Sequence, residues 1–482
     1  MKCAHLSVVF FVTVVISLLL SVQTASGQSQ TSSAIRGVVL IADDTPIVGA
    51  TVIVRHAQTG VEKGSLSNAD GRFLLLLLQP GGPYELTISY LGYSDLTVEG
   101  IQLQVGETQT LTIYLTESAI EVEGIAVNVE RDEIFNPGQV GPATLLNERM
   151  VESVPILSRD VMELANLSPL VKTTENGGFS IAGQNDRYNQ ILIDGVTNKD
   201  AFGLTAGGVP GGQAGAKMLP IDAVAQYEIL VAPFDVRLSG FTGGVMNAVT
   251  KTGTNDWNLR AFGVGRHEAL MGDLSLPTGL VNATGVDRSL FGFSAGGPII
   301  RDRAHFFIST EFEERRQPPT GFNLLRDAPS LVQVTDESMG AFQQLFQNQF
   351  GVDTGLSGPY ALEQDLANIF ARVDATVAQG HRLTARTVLA SANNEEAPNR
   401  AAFEPYELSS NAVLRNSQTT NTSIQLFSEL GARGGNELEF SIQRTTDETT
   451  PSSPWPQVEV ELRSPVGNGT SYSRAVRAGS QF

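Results

Sequence analysis

The chain has 482 residues, long enough for several domains of ordinary size, and carries 32 Lys and Arg against 51 Asp and Glu, a net charge of −19. A surface that acidic repels a phosphate backbone, which excludes nucleic acid as a partner. A single cysteine, Cys3, excludes a disulfide framework, and mean hydropathy is −0.02.

Lys2 precedes an apolar run over residues 6–22, and Ala25, Ser26 and Gly27 follow with small side chains. This is the layout of a secretory signal over residues 1–27, cleaved before Gln28. The run is nearly long enough for an uncleaved membrane anchor, but the polar and small residues after it favour cleavage. The mature chain would then have no thiol, no disulfide and no lipid-anchor cysteine. Past the signal no run of 18 apolar residues occurs, so any membrane insertion there must be as a β-barrel, whose alternating strands escape a hydropathy window.

Residues 28–117 form the first domain. Alternating runs at 35–41, 50–55, 71–78, 84–90 and 108–115 are separated by Asp-Asp, Asn-Ala-Asp-Gly and Pro-Gly-Gly-Pro turns, which predicts a small all-β sandwich. The apolar run 73–78 is expected to be a strand buried on both faces. Gly37, the Gly49-Ala50-Thr51-Val52 run, the Asp70-Gly71-Arg72-Phe73 turn, Tyr84 and Gly92-Tyr93 resemble the carboxypeptidase regulatory-like domain over the whole segment. No peptidase follows from that name. A zinc peptidase needs His and carboxylate ligands with a catalytic acid, and His56 stands alone here, read as an exposed strand histidine.

Residues 118–141 are an acidic, strand-prone linker. Its most extended stretch is Glu123, Gly124, Ile125, Ala126, Val127 and Asn128, a strand edge that a partner could extend by β-augmentation or an ordinary linker.

Residues 142–253 form the next unit. A turn from Pro155 to Asp160 containing Arg159 leads to a predicted helix over about 160–167, ending near Ser168-Pro169. A strand around residue 181 turns at Gly183, and another over 189–194 turns at Asp194-Gly195. The Gly-rich run 207–215 follows no strand and contains Pro210, so it reads as a mobile loop and not a phosphate cradle. The segment ends Ala-Pro-Phe-Asp-Val-Arg-Leu-Ser-Gly-Phe-Thr-Gly-Gly-Val-Met-Asn-Ala-Val-Thr-Lys over residues 232–251. Asp235 and Arg237 sit two apart on one face of an extended stretch. Gly240, Gly243 and Gly244 allow positive φ or close backbone approach. Val245, Asn247, Val249 and Lys251 start a period-two strand that also contains Thr250.

These residues resemble the plug domain of TonB-dependent outer-membrane receptors, close to the Oar-like subgroup. The resemblance implies a mainly β chain: a small N-terminal β-sandwich, an α+β plug, then part of a transmembrane antiparallel β-barrel over residues 254–482. It implies that residues 123–128 are the TonB box, with 129–135 the next candidate. It further implies a cell outer-membrane location with the N-terminal domain in the periplasm. The partners would be TonB of the inner-membrane energising complex, outer-membrane lipid and an extracellular solute whose identity the sequence leaves open. The function would be TonB-energised admission of that solute to the periplasm. An outer-membrane surface or adhesion protein that keeps the receptor fold is the alternative, as is a truncated receptor without transport activity.

In the barrel segment, Phe291 to Phe312 resembles early barrel strands of the subgroup. Ile369, Ala371, Val373, Ala375 and Val377 share one strand face opposite Arg372, Asp374 and Thr376, and a turn at Gln379-Gly380 leads into Leu383, Ala385, Thr387 and Leu389 opposite Arg382, Thr384 and Arg386. A second hairpin pairs Ile424, Leu426 and Leu430 with Leu438, Phe440 and Ile442. Either a lipid-facing barrel or a soluble sheet with one wet face produces this alternation. Met339, Phe342, Phe346 and Phe350 make a helical stripe that ends at Gly351, read as packing. Receptors of this type have about 22 strands, or roughly 220 residues in strands alone, whereas only 231 residues follow Lys251 and about eight strands are legible. The expectation is therefore an open barrel, from a longer product or a truncated gene, with little weight on Phe482 as a terminal barrel aromatic. No nucleophile, base and orienter can be paired and no metal cluster is visible, so neither enzyme activity, cofactor nor metal is expected.

Overall fold

The computed structural model describes residues 31–480 apart from 118–141, 175–177, 206, 235–237, 271–273, 277–278, 282–285, 318–333, 359, 397–404, 432–433 and 468–469. The signal segment, the linker with Glu123 to Asn128, Asp235, Arg237 and Phe482 lie outside the described residues.

Seven strands come first: β1 Ser33–Leu40, β2 Thr51–His56, β3 Glu62–Leu66, β4 Arg72–Leu78, β5 Gly81–Ser89, β6 Leu96–Leu103 and β7 Thr108–Tyr114. They make two facing sheets, β4-β1-β7 and β3-β2-β5-β6, with β1 and β7 parallel. Alternate residues such as Ile35, Val52, Phe73, Leu86 and Leu111 meet between them in one core, as a period-two pattern with one apolar face requires. β4 departs from the expectation. Phe73 and Leu75 are buried in the core while Leu74 and Leu76 are only half-buried, because β4 is an edge strand. His56 also departs: it is 7% exposed, since the end of β2 is covered by other parts of the chain.

The region read as a plug contains β8 Ala143–Leu146, β9 Val171–Thr173, β10 Phe179–Ile181, β11 Gln190–Ile193, β12 Val196–Thr197, β13 Val224–Val231 and β14 Gly244–Thr250. Five of these form a mixed sheet in the order β12-β11-β14-β13-β8. A short helix at Glu148–Ser153 is capped by Asn147. The helix expected at 160–167 is a 3₁₀ turn, Val161–Leu167, capped by the Asp160 side chain. Central β14 is buried at all seven positions, so the expected alternation does not appear in its burial, and Lys251 lies just beyond its end. The Gly-rich run is packed, not loose: Ala214 and Ala216 sit against Ala392 of the following sheet.

That sheet is an antiparallel meander of seven strands in the order β15-β18-β19-β20-β21-β23-β24. Its members are β15 Asn258–His267, β18 Asp287–Ile300, β19 Ala304–Gln317, β20 Leu362–Ala378, β21 His381–Glu396, β23 Val413–Glu429 and β24 Gly435–Pro451. The hairpin β16 Leu274–Leu276 with β17 Gly279–Val281 stands outside it, as does a small sheet of β22 Tyr406–Glu407, β26 Thr470–Ala478 and β25 Val458–Gly467. The helix Asp336–Phe350 packs Met339, Phe342 and Phe346 onto this small sheet, while Phe350 is exposed. Gly351 closes the helix with φ of 65°.

The seven-stranded sheet is inverted relative to a soluble one. Its polar face, with Arg372, Asp374, Thr384, Arg386 and Gln425, is buried against the plug. Its apolar face is bare: Leu438, Phe440 and Ile442 are 59%, 66% and 58% exposed. Water would penalise that arrangement, and hydrocarbon favours it. A lipid-facing sheet requires that bare apolar face, whereas a soluble sheet with one wet face would have buried it. The sheet is open, with β15 and β24 at its edges.

Candidate functional site

The plug meets the polar face of the sheet through two clusters of charge. The first is built on a hairpin tip. Ile193 pairs with Val196, so β11 and β12 are joined by the two residues Asp194 and Gly195, with φ of 48° and 76°. Two consecutive positive φ values make the turn that an Asp-Gly pair favours, and this places the Asp194 carboxylate at the tip of the plug sheet. Thr250, at the end of parallel neighbour β14, donates to that carboxylate from its backbone N and from Oγ1, both at 2.8 Å. Asn247 Oδ1 accepts from Gly195 N at 3.1 Å. The plug motif residues Asp194, Gly195, Asn247 and Thr250 thus form one local unit.

Two arginines of the sheet close on it. Arg372 Nη1 lies 3.4 Å from Asp194 Oδ1 and donates to Thr250 Oγ1 at 2.8 Å, while its other edge grips Asp374 at 2.7 and 2.9 Å. Arg386 Nε stands 3.2 Å from Asp194 Oδ2, and its Nη2 donates to Ile193 O at 2.6 Å. Gln425 Nε2 adds a bond to Asp194 O at 3.1 Å. Two carboxylates face two guanidinium groups, all with side chains less than 10% exposed, so the charges balance where water cannot screen them.

The second cluster gathers around Arg159, which takes φ of 54° at the corner of the Pro155–Asp160 turn. Its guanidinium bonds Glu311 of β19 at 2.7 and 2.9 Å and Asp222 of the plug at 3.0 Å, and lies 3.8 Å from the ring centre of Phe262 on β15. Beside it Lys217 and Arg288 share Glu313 at 2.7 and 2.6 Å, and Arg260 reaches Asp222 at 3.2 Å. Glu311 Oε2 is buried without a hydrogen-bond partner.

The other motif residues lie apart from both clusters. Pro155 and Gly183 are exposed. Gly240 is exposed with φ of 77°. Gly243 and Gly244 are buried where a Cβ would lie 2.6 Å from Asn189 Oδ1 and 2.5 Å from Leu230 O, so close backbone approach is what those positions require. Lys251 Nζ bonds Glu148 and Glu152 at 2.7 and 2.9 Å. Inside the plug, half-buried Glu228 has its pKa pushed up to about 7 by desolvation, opposed by a hydrogen bond from Asn247.

In the sheet's half of the site, Arg372, Asp374 and Arg386 were read from the sequence only as the polar face of a hairpin, and Glu311, Glu313 and Gln425 were not singled out. The available signal was there: ionisable residues at alternating positions on strands whose other face is apolar.

Comparison with known proteins fits this architecture. Residues 34–116 match the carboxypeptidase regulatory-like domain. Over 305 residues the chain is similar to the TonB-dependent transporter Oar of Myxococcus xanthus, at 25% identity. The match covers 57% of this chain and 26% of Oar, so the chain spans about a quarter of that relative's length. Among solved structures, the outer membrane transporter YddB from Escherichia coli aligns with a TM-score of 0.44 and 10% identity, covering 71% of this chain and 44% of that one. The siderophore receptor PirA from Pseudomonas aeruginosa aligns at 0.41 and 13%, covering 69% and 46%.

Proposed function

We propose that this chain carries the plug and the adjoining barrel strands of a TonB-dependent outer-membrane receptor, which admits a solute to the periplasm when TonB rearranges the plug. The observation that carries this reading is the inverted sheet with the plug latched to its polar face by Asp194, Arg372 and Arg386. A bare apolar face suits hydrocarbon, and a plug held by buried ion pairs, and not by an apolar core alone, can be released by a pull that separates a few groups. The sandwich would stand on the periplasmic side. Residues 123–128 would offer the edge strand that TonB extends, with the peptide backbone making the bonds. Solute selection would fall to the plug apex and the strand-connecting loops.

The test is substrate-free. A purified periplasmic C-terminal domain of TonB should bind the detergent-solubilised chain. Ile125→Pro or Val127→Pro, which removes an N–H donor and fixes φ, should abolish binding, while alanine at the same positions should weaken it only slightly. Equal binding by the proline and unaltered forms would move the coupling segment elsewhere, with residues 129–135 the next to be tested.

A further inference from the structure

The sandwich sits against the plug and the sheet, and the contact leaves a half-open cavity of about 40 Å³. Direct bonds fix the contact: Lys63 Nζ pairs with Glu429 at 2.6 Å, Asn255 N donates to Gln58 O at 2.8 Å, and Gln226 bridges Val105 N and Leu103 O at 3.1 and 3.2 Å. The cavity walls come from all three regions, with Thr59 and Gln79 from the sandwich, Gly253 from the end of the plug, and Arg303 and Arg382 from the sheet. Its volume is on the order of three water molecules, which is also the scale of a tetrahedral oxyanion.

The wall is unusual in its hydrogen bonding. Thr59 Oγ1, Gln79 Nε2, Arg382 Nε and Arg382 Nη2 are all shut off from solvent and have no partner in the protein. Each is a donor or can act as one, and Thr59 as a whole is 3% exposed. Native structures rarely leave such groups unpaired, and four around one cavity call for an acceptor inside it. Nε and Nη2 define the guanidinium edge whose two N–H bonds run parallel, the edge that grips two oxygens of a carboxylate or phosphate. The flat face of Arg382 rests on Phe427, 4.2 Å from its ring centre, which fixes the group while that edge stays free of protein partners.

The charge balance points the same way. Asp374 is occupied by Arg372, and Glu429 by Lys63. Among the described residues neither Arg303 nor Arg382 forms an ion pair, and Asp374, itself part of the cavity wall, acts on Arg382 only from a longer distance. His56, which also lines the cavity, accepts from Thr59 N at 3.2 Å and stands edge-on to Tyr84. Burial, followed by the positive charges of His305 and Arg382, pushes its pKa down to about 4, so it adds no charge of its own near neutrality.

We propose that this cavity binds a small inorganic oxyanion of the phosphate or sulfate type. The Arg382 edge grips it, Thr59 and Gln79 complete its coordination, and its occupancy clamps the sandwich onto the plug and sheet. The site is independent of the transport reading, because it lies where the sandwich meets the other regions and makes no use of the Asp194 or Arg159 clusters.

The experiment titrates inorganic phosphate into the detergent-solubilised 482-residue chain at fixed ionic strength, with chloride as the control salt, by calorimetry. Saturable binding of one phosphate per chain is expected, with an accompanying rise in thermal midpoint. Arg382→Lys keeps the charge but loses the two-bond edge and should weaken binding about tenfold or more. Thr59→Val should weaken it several-fold. In the unaltered chain, imidazole resonances should show the His56 pKa rising on phosphate addition, a change that no folding defect in a variant can mimic. The proposal is overturned by equal responses to phosphate and chloride, by unaltered affinity in Thr59→Val and Arg382→Lys, by a His56 titration indifferent to phosphate, or by density showing only water in the cavity at saturating phosphate.

Discussion

At the Asp194 tip of the plug, two carboxylates and two arginines balance in a sealed space, where one buried nitrogen, Arg386 Nε, makes no hydrogen bond. At the Arg159 corner, four cations meet three carboxylates, Arg260 is half exposed, and one buried oxygen of Glu311 goes unbonded. Both join plug to sheet, but they differ in how firmly water and salt can reach them. The sealed cluster is costly to break one charge at a time, because removing a member leaves its partners buried and uncompensated. The open cluster can exchange partners, since Lys217, Arg288 and Arg260 stand ready around the same carboxylates. The difference predicts that the second contact gives way before the first when the plug unfolds.

The sharpest way to break that comparison is Asp194→Ala. It strips both arginines of a shared carboxylate and Thr250 of its acceptor, and should destabilise the plug by about 3–5 kcal/mol, read as earlier unfolding in urea and faster proteolysis of the plug. Arg159→Ala should cost less, about 1–3 kcal/mol, because neighbouring cations can re-pair with Glu311 and Asp222. Its effect should shrink as salt rises from low to physiological concentration, while that of Asp194→Ala should not. Equal salt sensitivity of the two variants would erase the distinction drawn above.

A third variant tests the plug sheet between the clusters. The Glu228 pKa lies at about 7 against an ordinary glutamate value of 4.5, so the folded state holds a proton that the unfolded state releases within that window. The stability linked to Glu228 is therefore fully present below about pH 4.5 and lost as pH rises to 7. Glu228→Gln should flatten this slope and raise stability at pH 8 by about 1–2 kcal/mol, a pH series of unfolding midpoints being the check. The smallest effect is expected at Lys251→Ala. Its partners Glu148 and Glu152 are roughly half exposed, so the loss should be about 0–1 kcal/mol and vanish in high salt.

Much of this arrangement was legible in particular residues. Asp194-Gly195 announced a turn at the end of a short strand, and the alternation from Ile369 to Leu389 announced a hairpin with one apolar face. Gly243 and Gly244 signalled close backbone approach. What escaped was the pairing across distance. Arg372 and Arg386 lie about 180 residues beyond Asp194 in sequence, and nothing local marks them as its partners. His56 was read as an exposed strand histidine because the strand alone leaves it exposed; the contact with the rest of the chain buries it. The Gly-rich run looked mobile for the same reason, since the sheet that receives Ala214 and Ala216 is formed by residues far downstream.

By itself the sequence determined element type and order: period-two runs, turn residues and a capped apolar stripe are local properties, set by backbone sterics and side-chain spacing. It also determined that the hairpins over residues 369–389 and 424–442 have one apolar and one polar face. Which face points outward was decided only by tertiary structure. Alternation is symmetric until something occupies one side, and here the plug, with charges placed to match those of the sheet, takes the polar side and leaves the apolar one bare.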